Sequence, residues 1–151
     1  MKKYFAALAL LVSLSPAQAQ DSGIVTRPSK FSVAETTSRL VAAIEASGTY
    51  QLFWQLDHTA NADKEAGAAL PPSQLVLFGN PKVGVPLIKD APTVALDLPN
   101  RALIWQDSDG KVWLTYNELA PLFARHSLKR TADQIKVIEA RQTALFDKAT
   151  N

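Results

Sequence analysis

The sequence predicts an α+β fold in which a single curved, antiparallel-rich sheet packs on helices. Strand-like segments occur near residues 24–27, 50–57, 75–78, 101–107 and 111–117. Segments with apolar residues at helical spacing occur at 33–47 and 131–148, so strands and helices are not in strict alternation. No internal repeat and no long linker divides the 151 residues, and we therefore expect one folded domain.

Residues 1–19 have the three parts of a secretory signal peptide. Two lysines supply a positive start, an apolar run covers residues 4–14, and Ala17 and Ala19 form the small-residue pattern that signal peptidase accepts. The run is shorter than the ~20 residues that span a bilayer. We therefore predict cleavage after Ala19, a periplasmic location and no membrane anchor on the mature protein.

The charge balance and the lack of cysteine exclude several classes of protein. The chain has 16 Lys and Arg against 14 Asp and Glu, and two of the lysines lie in the predicted signal peptide. The mature chain is therefore formally neutral, and it lacks the basic patch that binds a phosphate backbone, so we expect no nucleic-acid partner. Without cysteine there is no disulfide framework, no thiol nucleophile and no thiolate metal site.

The first helix and the strand after it have clear signals. Ser32 and Glu35 form a capping box, apolar residues follow at helical spacing, and Gly48 ends the helix. From Tyr50 onwards the apolar residues alternate with polar ones, which is typical of a strand. Strict alternation would place these residues on one face of the sheet: Tyr50, Leu52, Trp54 and Leu56.

The middle of the chain is less regular. Residues 58–70 are rich in alanine and polar residues and predict a short surface helix, which Pro71 ends. Residues 75–78 form an apolar run that indicates a buried strand. Residues 79–88 hold two glycines and two prolines and therefore predict a shaped loop with one helical turn before Asp90. Residues 94–98 predict a short extended piece.

The end of the chain predicts a hairpin followed by two helices. The hairpin joins 101–107 to 111–117 through Ser-Asp-Gly, and a short helix covers 118–126. A second capping box begins a C-terminal helix over 131–148, whose narrow apolar stripe consists of Ile135, Ile138 and Leu145. We expect this helix to pack on the outside of the domain or on a dimer mate, away from any ligand site. Truncation after residue 128 should then leave the domain folded.

Several motifs occur together between residues 31 and 128. They read Leu75-Val76-Leu77-Phe78-Gly79-Asn80-Pro81-Lys82-x-Gly84-x-Pro86-Leu87, Leu96-Asp97-Leu98-Pro99, Asp109-Gly110 and Val112-Trp113-Leu114-x-Tyr116-Asn117. Together they resemble the signature of the bacterial family called domain of unknown function 302. The resemblance implies a β-α-β4-α order like that of the TATA-binding protein, and a dimer. It implies no activity, and the C-terminal helix lies outside it.

These boundaries divide the chain into three parts. Residues 1–19 are the signal peptide, 20–128 the α+β domain, and 129–151 a C-terminal helical extension.

Six residues are candidates for ligand binding: Asp57, His58, Asn80, Asp97, Trp105 and Tyr116. Asp57 could orient the imidazole of His58 at the rim of the sheet, and Asp97 lies between two leucines that could enclose it. The aromatic residues could line a cleft with these polar groups. Each also has a structural interpretation: a junction residue, a tight turn at Asn80, a solvent-facing carboxylate, or an aromatic core.

No motif for catalysis, phosphate binding or metal binding is present. The histidines, His58 and His126, lie in no metal-ligand spacing, and His126 fits the carbonyl end of a helix. We therefore assign no catalytic residue, metal or cofactor. We predict a non-enzymatic, homodimeric module that binds a small ligand or a periplasmic protein over the sheet and the loop of residues 79–86. Two alternatives stay open: an acid/base or metal-assisted enzyme that uses Asp57, His58 and Asp97, and a structural dimerisation module.

Overall fold

The computed structural model of the protein describes residues 23–151, and the predicted signal peptide lies outside them. The strands are β1 (Ile24–Ser29), β2 (Gln51–Asp57), β3 (Ser73–Gly79), β4 (Asn100–Gln106) and β5 (Val112–Asn117). The helices are α1 (Val33–Ala46), α2 (His58–Ala66), α3 (Pro81–Asp90), α4 (Leu119–Arg125) and α5 (Ala132–Thr150), and a 3-10 helix covers Pro92–Leu96. Among the described residues, no helix has both the length and the hydropathy needed to cross a membrane.

The five described strands form one sheet in the order β1-β5-β4-β3-β2. Every neighbouring pair is antiparallel, and the first strand of the chain lies beside the last. The predicted α+β class and the β-α-β4-α order are therefore confirmed, with α2 and α3 inserted between strands of the sheet.

Helices α1 and α5 cover one face of the sheet. The buried core between them and the sheet consists of Val33, Leu40, Ala43, Ile44, Val76, Phe78, Ala102, Ile104, Val112, Leu114, Leu145, Phe146 and Ala149. Phe146 of α5 is central to it: its ring meets Phe78 edge-on with centroids 5.9 Å apart and lies 4.4 Å from the ring of Tyr116. Such pairs add to the free energy gained by burial alone.

The C-terminal helix differs from the expectation of an outer extension. Leu145, Phe146 and Ala149 belong to the main core, while the two isoleucines of the predicted stripe pack on a second cluster near α4. The end of the helix is also tied to the N-terminal half, because the amide of Lys30 donates to the carbonyl of Thr150 at 3.1 Å. Helix α5 is thus a structural part of the domain.

A β-bulge in β2 overturns the strict alternation expected there. Leu52 pairs with Phe78 and Trp54 with Leu77, so Phe53 is an extra residue on the bulged strand. Because one inserted residue moves every following side chain to the opposite face, Tyr50 and Leu52 pack against the core while Trp54 is 64% exposed on the other side.

No described helix covers the second face of the sheet, which we call the open face. By register it carries Trp54, Leu56, Leu75, Leu77, Arg101, Leu103, Trp105, Trp113, Thr115 and Thr26. Two of its three indole N–H groups have partners within the chain: Trp105 donates to the Thr115 hydroxyl at 2.9 Å and Trp113 to the Asp107 carboxylate at 2.7 Å. The polar atoms of these tryptophans therefore need no water.

The predicted loop over residues 79–88 and the extended piece over 94–98 are wrong. Both segments are helical: α3 follows β3 directly, and the 3-10 helix follows α3. Asn80 caps α3, its side-chain oxygen accepting from the Lys82 amide at 3.0 Å, and Pro81 occupies the first helical position, where no N–H is needed. Buried Leu87 and Val94 anchor the two helices, and this burial outweighs the donor that Pro86 removes.

Candidate ligand-binding cleft

A second hydrophobic cluster lies at the end of the sheet where β4 begins. Its buried residues come from α3, the 3-10 helix, α4 and the segment that follows α4: Leu87, Val94, Leu119, Leu122, Phe123 and Leu128. These elements do not close on each other completely. They leave a cavity of about 310 Å³, which we call the cleft.

Small residues and the bulge shape the cleft. Gly84 of α3 has no side chain, and a Cβ there would lie 3.8 Å from Leu98 on the opposite wall. The bulge directs Phe53 to the cleft, where its ring lies 3.4 Å from the position of a Cβ on Gly79. Val85, which is 50% exposed, and Ile88 form an apolar rim. The opening is therefore as apolar as the interior.

Three residues contribute polar side chains to the cleft: Tyr50, Asn80 and Asn100. Burial raises the pKa of the Tyr50 phenol, with the charge of Arg141 acting in the opposite direction, so the phenol stays neutral at physiological pH. The oxygen of Asn80 is occupied by its capping bond to Lys82. Asn100 makes no side-chain hydrogen bond with any residue that the structure describes, and its amide can therefore pair with a ligand.

An Asp97–His126 pair braces the wall of the cleft. His126 Nε2 contacts the Asp97 carboxylate, and its Nδ1 lies 3.0 Å from the Thr93 hydroxyl. Arg125 adds an ion pair to Asp97 at 2.7 Å. Thr93 belongs to the 3-10 helix, Asp97 follows the last residue of that helix, and His126 follows the last residue of α4. The network therefore joins the 3-10 helix to α4, and both elements contribute residues to the cleft. Nothing in the sequence links the two residues, which are 29 positions apart.

Asp57 and His58 lie at the opposite end of the sheet. Asp57 caps α2 by accepting from the Ala60 amide at 2.9 Å, and it also accepts from Gln74 at 3.0 Å. The Ala60 bond and then the Gln74 bond lower the pKa of Asp57. It serves a structural role at the start of a helix.

The three residues of the enzymatic alternative are therefore not assembled. Asp57 pairs with Gln74 at the start of β3. Asp97 lies three residues before Asn100, which pairs with Phe78 near the end of β3. The two aspartates are therefore at opposite ends of the sheet. We abandon the acid/base or metal-assisted enzyme that would use Asp57, His58 and Asp97 together. Within residues 23–151, no group of three or more His, Asp or Glu side chains is placed to hold a metal ion.

The two aromatic candidates lie on opposite faces of the sheet. Trp105 is on the open face, while Tyr116 packs on Phe146, where burial raises the pKa of its phenol. Of the six predicted site residues, Asn80 alone lines the cleft within the described chain. Sequence reasoning missed Asn100 and Phe53; the first carries no local signal, and the second depends on a bulge that alternation cannot predict.

Three comparisons relate the chain to known proteins. The family model "Domain of unknown function DUF302" matches residues 25–146, so the match includes most of α5, which the resemblance had been expected to leave out. A crystal structure of an uncharacterised conserved DUF302 protein from Bacillus stearothermophilus superposes with a TM-score of 0.72 at 18% identity, covering 85% of this chain and 99% of that one.

The chain is also similar to two proteins named "Fluoride-specific ion channel FluC 1". The relative from Brucella suis biovar 1 (strain 1330) is 51% identical over 113 residues, which is 75% of this chain and 44% of that protein. The relative from Brucella abortus biovar 1 (strain 9-941) is 51% identical over 113 residues and is covered to 41%. The chain thus spans less than half the length of these relatives. The match to the family model over most of the chain and the shared architecture show that the protein belongs to the DUF302 family.

Proposed function

We propose that this protein is an exported, non-enzymatic binding module that holds a small apolar molecule in the cleft. The observation that supports this function is the cavity of about 310 Å³ with an almost entirely apolar lining. Pockets for small ligands have volumes from roughly 300 Å³ upwards and combine apolar walls with a few polar groups. The cleft has this composition, and the polar side chains of Tyr50 and Asn100 have no hydrogen-bond partner among the described residues.

The apolar rim gives a physical reason for binding. Val85 and Ile88 expose apolar surface beside the cavity, and apolar surface that leaves water stabilises a complex by about 25 cal/mol per Å². A ligand that fills the cleft and covers the rim gains this free energy without moving the walls, which the Asp97–His126 network already joins.

A titration with N-phenylnaphthylamine tests the proposal, because this neutral probe becomes fluorescent in apolar surroundings. The mature protein should give a saturable increase in emission. Val85→Trp, which fills the rim, should weaken binding at least tenfold. Val137→Trp is the matched control, since Val137 is 54% exposed on α5 and does not line the cleft. Equal binding by the two variants, or no saturable signal from the unmodified protein, would contradict the proposal.

We further propose that the module is exported and cleaved after Ala19. The signal-like pattern of residues 1–19 supports this. Expression of the full chain in a bacterium, followed by N-terminal sequencing of the periplasmic fraction, should give Gln20 as the first residue. Uncleaved protein in the cytoplasm would contradict it.

The open face supports a homodimer in which a second copy covers it. Apolar patches beyond a few hundred Å² mark interaction sites in soluble proteins. Pro28 in β1 and the bulge in β2 oppose pairing through the sheet edges, so the face is the better surface. Arg101 is the one charged residue in its described strand positions and donates to the Leu96 carbonyl at 2.9 Å, so two copies meet with little repulsion.

Light scattering tests the dimer. The mature protein should have twice the monomer mass at micromolar concentration, and Trp54→Glu on the open face should give the monomer mass. Val137→Glu, at a similarly exposed apolar position on α5, should leave the dimer intact. A monomeric unmodified protein would rule the dimer out.

A second candidate function is that of an accessory protein to a fluoride channel. It is supported by the 51% identity to part of two proteins named as fluoride-specific ion channels. A domain that is joined to a channel in one bacterium can assist a channel as a separate chain in another. Deletion of the gene in its native bacterium should then increase sensitivity to fluoride, and the intact gene should restore growth. Unchanged growth over a fluoride series would remove this candidate.

A further inference from the structure

We propose that the ligand of the cleft is an electrically neutral molecule of about ten to twelve non-hydrogen atoms with one hydroxyl or carbonyl group, which Asn100 recognises. This inference rests on the proposed function and names the chemical class that the cleft accepts.

The charge of the ligand follows from the walls. None of the described residues that line the cleft is charged. Three cations near the cleft are exposed and do not belong to its lining: Lys82, Lys89 and Arg141, the last of which acts on the Tyr50 phenol from a distance. The carboxylate of Asp97 is already paired with His126 and Arg125. An anion or cation inside would lose its hydration without gaining a counter-charge, which strongly opposes binding. A neutral molecule loses much less.

The size of the ligand follows from the volume. An apolar protein cavity of about 150 Å³ holds one benzene molecule. The cleft, at about 310 Å³, therefore has room for about two such rings or an aliphatic body of the same bulk. Larger apolar molecules, including the probe N-phenylnaphthylamine, would extend from the cleft onto the exposed apolar rim formed by Val85 and Ile88.

The polar end of the ligand follows from the hydrogen-bond inventory. The oxygen of Asn80 caps α3, whereas the side chains of Tyr50 and Asn100 have no hydrogen-bond partner among residues 23–151. The ring of Tyr50 packs on Phe78 of the main core, and we therefore assign the recognition to Asn100. A primary amide both donates and accepts, so it pairs with a hydroxyl or a carbonyl group. Asn100 is half-buried, so a ligand that pairs with its amide replaces the bond to water, whereas a purely apolar ligand that covers the amide leaves it unpaired.

Three molecules with the same ten-carbon body separate these properties: naphthalene, naphthol and naphthoate. Each is titrated against the mature protein loaded with N-phenylnaphthylamine, and its displacement of the probe is measured. We expect naphthol to bind at least tenfold more tightly than naphthoate, since the carboxylate would be buried without a partner. We expect naphthol to bind about three- to tenfold more tightly than naphthalene because of its hydrogen bond to Asn100.

The variant Asn100→Leu tests the assigned residue. It should reduce naphthol binding to the level of naphthalene while leaving naphthalene binding unchanged, and its melting curve reports whether it folds. Naphthoate binding as tight as naphthol binding in the unmodified protein would overturn the neutral class, whatever the variant does. An undiminished preference for naphthol in folded Asn100→Leu would overturn the role of Asn100. Both results leave the cleft as a binding site, whereas failure of the probe itself to bind would contradict the proposed function.

Discussion

Replacing Phe146 by alanine tests whether helix α5 belongs to the core of the domain. Phe146 is 1% exposed and touches the rings of both Phe78 and Tyr116, which belong to β3 and β5. Its side chain therefore fills the space between α5 and the sheet. Substitution leaves a cavity that the surrounding elements cannot close without moving the helix.

The expected cost follows from the burial. Phenylalanine-to-alanine changes in protein cores lower the free energy of unfolding by about 3–5 kcal/mol. For a chain of this size, a loss of about 4 kcal/mol lowers Tm by roughly 10–15 °C. Truncation after residue 128 removes Phe146 together with buried Leu145 and Ala149. Its summed cost approaches the whole stability of a typical domain, about 5–15 kcal/mol, so we expect no cooperatively folded protein.

Urea denaturation followed by tryptophan fluorescence measures the effect. Val137→Ala is the matched control, because Val137 is exposed on the same helix and its truncation should cost less than about 0.5 kcal/mol. A cost below about 1 kcal/mol for Phe146→Ala, or a truncated chain that still unfolds cooperatively, would show that α5 is an appendage and that the core is smaller than described.

Three further substitutions test local features. Gly84→Ala should raise Tm, because the residue lies inside α3 with room for a Cβ and alanine favours a helix over glycine by about 1 kcal/mol; a lower Tm would mean that the cleft wall cannot accept a methyl group. Gly110→Ala should cost about 1–2 kcal/mol in urea, since its φ of +80° strains a residue with a Cβ; no cost would refute the hairpin geometry. Asp57→Asn should lower Tm slightly at neutral pH. Because the folded pKa of Asp57 is depressed, its charged form stabilises the protein above the unfolded pKa of about 3.9, and this contribution is lost as pH falls through the folded pKa. The difference in Tm should therefore vanish in acid, and a constant difference would exclude the charge as its cause.

The sequence predicts the framework of the fold because its signals are local. Ser32 accepts from the Glu35 amide at 3.2 Å, which is one half of the capping box predicted for α1; the reciprocal bond to the Glu35 side chain is absent from the described residues. Both halves of the box at Thr131 and Gln134 are present. The hairpin between β4 and β5 likewise follows from Gly110 and its neighbours. Caps and turns depend on a few adjacent residues, and short motifs therefore identify them.

The incorrect predictions concern segments whose conformation depends on tertiary packing. Prolines and glycines argued against a helix over 81–90, yet burial of Leu87 stabilises α3 there. The bulge at Phe53 changes which residues share a face, and the sequence of β2 contains no signal that predicts it. The cleft depends on both features, so its location could be predicted only as a segment, residues 79–86, and not as a set of facing side chains.

The pairing of the first strand with the last has a consequence for the timing of folding. β1 is hydrogen-bonded to β5, and α1 packs on α5, so neither the sheet nor the core is complete until residues near 146 are available. Contacts so distant in sequence form late and slowly. During synthesis, β1 and α1 leave the ribosome before their partners exist, so the domain completes its fold only when nearly the whole chain is available. The export that we propose needs an unfolded chain, and this strand order delays folding in the way that such passage requires.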